Sequence, residues 1–300
     1  MRRAERRRAL AWLAAVGGGG LSLWRPAVAA PAAAVGSTAV SVAASVSSGV
    51  AGSSATAPGV CAAPVYLTLD TGHMGVAELI GRTLVREQVP ATFFLAAERT
   101  LDGGHSLDAR WAPWWRERVA EGHLFGSHTW DHARWRRDLA EGRFVVQPEQ
   151  GERQGQRLSL DGAAYCAELV RPARRLAEIA GRPVMVPLFR APGGRLSPAL
   201  EQAAARGGWQ HVGWTPAGFL GDELSTARAG NAALLEQALA RVRPGDILLA
   251  HLGIWSRQPP WAPEVFAPLI QGLKARGLCF ATLQRHPRFA AHAARPVALG

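Results

Sequence analysis

Seven short apolar runs punctuate the chain after Cys61, and the stretches between them carry helical spacing. The runs are PVYLTLD (64–70), ATFFLA (91–96), HLFGSH (123–128), VMVPLFR (184–190), WQHVGW (209–214), DILLAH (246–251) and LCFATL (278–283). Each has strand length and is rich in β-branched, aromatic or leucine residues. Helices are predicted over 75–88, 113–121, 162–180, 197–206, 230–242 and 263–276. The clearest has Asp161 as N-cap, Leu169, Leu176 and Ile179 on one stripe, and Gly181 followed by Pro183 as its stop. Such alternation predicts an α/β fold with a parallel sheet, open or closed. The near-continuous apolar character of the runs fits burial on both faces. Residues 141–160 lack helical period and read as a long loop or an inserted hairpin.

Four of the runs end in a group with chemistry: Asp70, His128, Arg190 and His251. Locally satisfied core residues would be scattered along their strands. A shared strand end instead points to one pocket, because the C-terminal ends of parallel barrel strands form the site. His128 and His132 lie four apart in SHTWDH (127–132). With a helix begun over 129–140, both imidazoles would face one ion and suit Zn²⁺ or another borderline divalent metal.

The 300 residues, 48% hydrophobic and 19% charged, suffice for one barrel-sized core. The formal charge of +11 is uneven, with six arginines against Glu5 alone in the first thirty residues. Elsewhere the basic residues are scattered arginines with a single lysine, Lys274, and no cluster interleaved with aromatics. That pattern is a solvated surface, so no nucleic-acid partner is expected, and no stable protein partner either.

A basic start, an apolar stretch from Ala9 to Leu23, and small residues at Ala27-Val28-Ala29 have the anatomy of a secretory signal over 1–30. The chain is therefore expected to be exported, to the periplasm or beyond, with an uncleaved anchor as the alternative. Residues 31–60, rich in Ala, Ser, Val, Gly and Pro and free of charge, read as a flexible tether, leaving 61–300 as the folded domain. In an oxidising compartment one pair among Cys61, Cys166 and Cys279 would bridge; which pair stays open.

The set TLDTG (68–72), HTWDH (128–132), FRAPGG (189–194) and DILLAHLG (246–253) resembles the motifs of NodB-type polysaccharide deacetylases, in order, across residues 62–285. The resemblance implies a distorted (β/α) barrel of seven or eight strands and metal-assisted hydrolysis of N-acetyl groups on hexosamine glycans. By the same resemblance Asp70 is the general base, Arg190 the arginine that orients it, and His251 the general acid. His128 and His132 are metal ligands, and Leu249 shapes the pocket for the acetyl methyl.

Two motifs depart from the family pattern. The family's second aspartate, a third metal ligand, is Thr71 here, and a neutral hydroxyl is a poorer ligand than a carboxylate. The metal would then be held by two histidines with water, by Asp70 turned from its role as base, or by His73 swung in as third ligand. The expectation is a retained but weakened divalent-metal site. The aspartate motif that tunes the acidic histidine is also missing, Ala217 and Leu220 standing near its places, with Asp222 a nearby substitute. The eleven tryptophans, eight of them in or beside the loops after strands, suit a sugar-binding cleft, with packing accounting for about half. Two other readings stay open: an amidohydrolase for a small cyclic amide or imide, and a catalytically impaired glycan-binding member.

Overall fold

Strand β1 (Pro64–Asp70) is the staff on which the barrel is hung. In the computed structural model, which describes residues 61–299, all but its first residue are buried. The readings made on 1–60 lie outside the described residues. β1 pairs in parallel with β2 (Thr92–Leu95), β9 (Ile247–His251) and β10 (Cys279–Phe280). From β2 the sheet continues through β3 (Leu124–Ser127), β7 (Met185–Phe189) and β8 (Gln210–His211). The ring is drawn shut on its other side by two contacts to β9. Thr215 N–H donates to Ile247 O at 3.2 Å, and Phe219 bridges Leu249 in parallel. The result is a distorted (β/α) barrel of seven parallel strands.

Six α-helices wrap it: α1 (Ala77–Arg86), α2 (Ala112–Ala120), α3 (Gly162–Ala180), α4 (Pro198–Arg206), α5 (Asn231–Arg241) and α6 (Ala262–Ala275). Each falls within a residue or two of its predicted span. α3 shows why. The Asp161 carboxylate accepts Ala164 N–H at 2.8 Å, which satisfies a donor that the first turn leaves unpaired. Leu169, Leu176 and Ile179 are buried on one stripe, and Gly181 closes the helix at φ +72°.

Between β3 and α3 the chain inserts an antiparallel sheet of β4 (Ala133–Asp138), β5 (Phe144–Pro148) and β6 (Leu158–Leu160). The hairpin reading of 141–160 holds, but the helix expected over 129–140 does not form. Arg136, Arg137 and Asp138 offer no apolar stripe to bury, while Ala133 through Asp138 pair across the ladder to β5. β8 is also shorter than its predicted run. Beyond His211 the carbonyls of Val212 and Gly213 turn away to accept from the Arg190 guanidinium.

A disulfide joins Cys61 to Cys279, and Cys166 is left free. It closes a loop with a sequence separation of 218 residues and ties the start of β1 to β10. Cys61→Ser should therefore lower the unfolding free energy in denaturant titration by about 2–5 kcal/mol. Reducing agent should produce the same loss, and Cys166→Ala should not.

Candidate active site

Asp70 closes β1, His128 follows β3, Arg190 follows β7 and His251 closes β9, so parallel strands carry all four to the same barrel end. Asp70 sits directly opposite His251 in the β1–β9 register. Arg190 Nη1 donates to Asp70 Oδ1 at 2.8 Å, and both side chains are buried. The guanidinium is fixed on every side. Its Nε donates to Val212 O at 3.3 Å, its Nη2 to Gly213 O at 3.2 Å, and its plane lies 4.4 Å from the centre of the Phe94 ring. Burial alone would raise the Asp70 pKa. The charges of Arg190, His128 and His251 outweigh it and hold the carboxyl below its usual range.

His251 is tuned the opposite way. Burial would lower its pKa, but the Asp222 carboxylate, 3.1 Å from Nδ1, raises it to about 9. The same carboxylate accepts the His251 backbone N–H at 2.7 Å. The loop that carries Asp222 is clamped by a residue the sequence reading passed over. Arg257, fully buried, donates to Ala229 O at 2.9 Å and to Asn231 Oδ1 at 3.0 Å. Nothing in its local sequence marks it, because its partners lie 26 residues or more away.

His128 and His132 face one another with ring centroids 4.8 Å apart. A turn, not a helix, brings them together. Thr129 and His132 have φ of +60° and +49°, and Thr129 Oγ1 accepts Ala133 N–H at 2.7 Å. His128 Nδ1 lies 2.9 Å from Arg190 O, and His132 Nδ1 lies 2.9 Å from Glu149 Oε2. A carbonyl or carboxylate oxygen can only accept, so each Nδ1 carries a proton and each Nε2 is the nitrogen left for a ligand. Burial lowers the His128 pKa to about 4, so that ring is neutral near pH 7. Two oriented Nε2 lone pairs fit a divalent cation, with the opposite ring nitrogens held as in known metal sites.

The third place does not carry a carboxylate. Among the described residues no three His, Cys, Asp or Glu side chains gather as a metal-holding group. Thr71 is fully buried, accepts Ala96 N–H at 3.1 Å, and donates its hydroxyl to Glu98 Oε2 at 2.5 Å. His73 is held by its neighbours. Its Nδ1 accepts Gly75 N–H at 3.0 Å and its ring packs edge-on to Trp255 at 4.9 Å. Of the tryptophans, Trp114, Trp115 and Trp261 are buried in the core, whereas Trp255 is 49% exposed beside the strand ends.

The arrangement joins an ionised carboxylate, a protonated imidazole and two imidazole lone pairs within one barrel mouth. Residues 59–212 match the family model described as polysaccharide deacetylase. A chitooligosaccharide deacetylase of Sinorhizobium fredii is 30% identical over 197 residues, covering 65% of this chain and 74% of that protein. The chain belongs to the polysaccharide deacetylase family. It is thus a hydrolase of the carbohydrate-deacetylase kind. Two solved structures share its fold at a TM-score of 0.55. The chitin deacetylase of Colletotrichum lindemuthianum is 19% identical and covers 75% of this chain and 88% of its own. A family 4 acetyl xylan esterase of Clostridium thermocellum, solved with a cobalt ion, is 21% identical and covers 76% and 90%.

Two variants test the electrostatics of this deacetylase. Arg190→Met should destabilise the fold by about 3–5 kcal/mol in denaturant titration, because it leaves a buried carboxylate unpaired. Asp222→Asn should lower the His251 pKa seen by NMR titration. Because the folded-state pKa of about 9 lies above the ordinary histidine value of 6.5, the charge-linked stability lost in Asp222→Asn should be full below pH 6.5. That part of the difference from wild type should fade as pH rises through 9, leaving what the bond to the His251 backbone N–H contributes.

Proposed function

We propose that this deacetylase removes N-acetyl groups from a hexosamine glycan of the cell envelope, with a divalent metal, zinc or a similar ion, as cofactor. The observation that carries the reading is the opposed tuning of Asp70 and His251 at facing positions of adjacent strands. Groups whose surroundings push their pKa values apart are fitted as base and acid. Asp70, kept ionised and aimed by Arg190, takes a proton from the attacking water as its oxygen bonds to the acetyl carbon. His251, kept charged by Asp222, gives a proton to the nitrogen as the carbon–nitrogen bond breaks. Acetate and a free amine leave, and solvent returns the displaced proton.

Nε2 of His128 and of His132 would hold the metal, which when bound supplies Lewis acidity toward the acetyl carbonyl. Leu249, two residues before His251 on the same strand, would face the acetyl methyl, and Trp255 offers an exposed ring for stacking on a sugar. Export is supported by the signal-like residues 1–30 and by the Cys61–Cys279 disulfide, which persists in oxidising compartments.

Acetate release from a panel of N-acetylglucosamine oligomers and polymers is the test. The expected result is release that chelator abolishes, divalent metal restores, and Asp70→Asn lowers by at least about 10²-fold. No release from any member with metal added would refute the reading. The neutral residue at position 71 favours one second reading, metal-free hydrolysis of a small cyclic amide or imide. Chelator-insensitive hydrolysis of such a substrate would single it out.

A further inference from the structure

The barrel mouth holds a carboxylate that the chemistry above does not use. Glu98 lies in the loop after β2, half-buried, and its backbone is locked in place. Ser106 N–H donates to Glu98 O at 2.8 Å, and Glu98 N–H donates to Ser106 Oγ at 3.2 Å. Its Oε2 accepts two neutral donors, the Thr71 hydroxyl and Gly72 N–H, both at 2.5 Å. Gly72 can make this approach because it has φ +105° and passes so close to the Gly253 carbonyl that a Cβ would collide with it. No arginine, lysine or histidine among the described residues forms an ion pair with Glu98.

Asp70 differs: its charge is matched by Arg190 at 2.8 Å. Glu98 has no such partner among the described residues. It is near enough to His128 to favour that ring's charged form. The backbone keeps the neighbourhood in register. Thr71 N–H donates to Phe94 O at 3.1 Å and His128 N–H to Leu95 O at 2.8 Å, on either side of β2. Ala97 N–H donates to Trp130 O at 2.7 Å, which ties the Glu98 loop to the turn between the two histidines.

A partly buried carboxylate with only neutral donors, beside two imidazoles whose Nδ1 atoms are already engaged, has the geometry and charge to serve a cation site. We propose that Thr71 and Glu98 act as one unit that replaces a single metal-binding carboxylate. Thr71 presents its hydroxyl oxygen to the cation held by His128 and His132. Glu98, by accepting the hydroxyl's hydrogen bond, polarises that oxygen and supplies the negative charge beside it. Thr71 is then the oxygen donor and Glu98 a positioning residue that acts through it. The inference rests on the metal-assisted reading and deepens it, because it names where the site's charge resides.

The consequence is a charge that can be moved along the pair. An aspartate at position 71 would place its carboxylate against Glu98 and meet like-charge repulsion. Neutralising Glu98 at the same time would remove that repulsion and leave the charge count unchanged.

Visible-absorption titration of the full chain with Co²⁺ tests this without reference to activity, with a thermal unfolding midpoint recorded for every variant. Glu98→Gln should bind Co²⁺ about 10–100-fold more weakly than wild type. Thr71→Val should lose as much, Thr71→Ser should bind as wild type, and adding Glu98→Gln to Thr71→Val should cost little more. Thr71→Asp with Glu98→Gln should restore or exceed wild-type affinity, and should bind more tightly than Thr71→Asp alone. If wild type binds Co²⁺ in a manner lost in His132→Ala, yet Glu98→Gln binds equally well, the paired role is overturned while the metal-assisted reading stands. If wild type shows no His132-dependent Co²⁺ binding, both fall together.

Discussion

The buried pair of Asp70 and Arg190 is the interaction on which the mouth of the barrel depends. It joins the end of β1 to the end of β7 across 120 residues of sequence. Two charges removed from water need good geometry and satisfied neighbours to persist. Arg190 meets that need with one carboxylate, two carbonyls and an aromatic face. The demand for carbonyls explains why β8 ends at His211: a chain that continued as strand could not turn Val212 and Gly213 toward the guanidinium. The Arg190 backbone carbonyl in turn orients His128. One ion pair thus sets the charge of Asp70, the direction of the His128 ring and the length of a strand.

Around that pair the site separates its titrating groups by environment. Asp70 is held ionised by cations, and His251 is held protonated by Asp222 and by the carboxylates of Asp70 and Glu223. His128 is kept neutral by burial. An ionised carboxylate, a charged imidazole and a neutral one therefore coexist near neutral pH at one end of the barrel. The chain belongs to the polysaccharide deacetylase family, and breaking an amide's carbon–nitrogen bond calls for both a proton acceptor and a proton donor.

Much of this was legible along the chain. The alternation of apolar runs and helical stripes foretold the barrel, and Asp161 and Gly181 announced the ends of α3. The strand-end positions of Asp70, His128, Arg190 and His251 pointed to one pocket. Three features were not legible in the same way. The turn at 129–132 was read as a helix because spacing of four is shared by helices and by tight turns with positive φ. The surroundings of His73 were hidden because sequence shows a side chain's identity and not the Gly75 N–H and Trp255 ring that engage it. Glu98 and Arg257 were passed over because each works on partners 26 or more residues distant.

By itself, then, the sequence determined the α/β alternation, the helix limits and the kinds of group delivered to the strand ends, since periodicity, capping and residue type are properties of neighbours along the chain. Tertiary structure alone decided which of those groups meet. The pairing of Asp70 with Arg190, of His251 with Asp222, of Thr71 with Glu98 and of Cys61 with Cys279 follows from strand register and from closure of the ring. Those are through-space relations between segments far apart in sequence. They depend on how the buried faces of seven strands fit together, a property of the assembled core and of no single stretch within it.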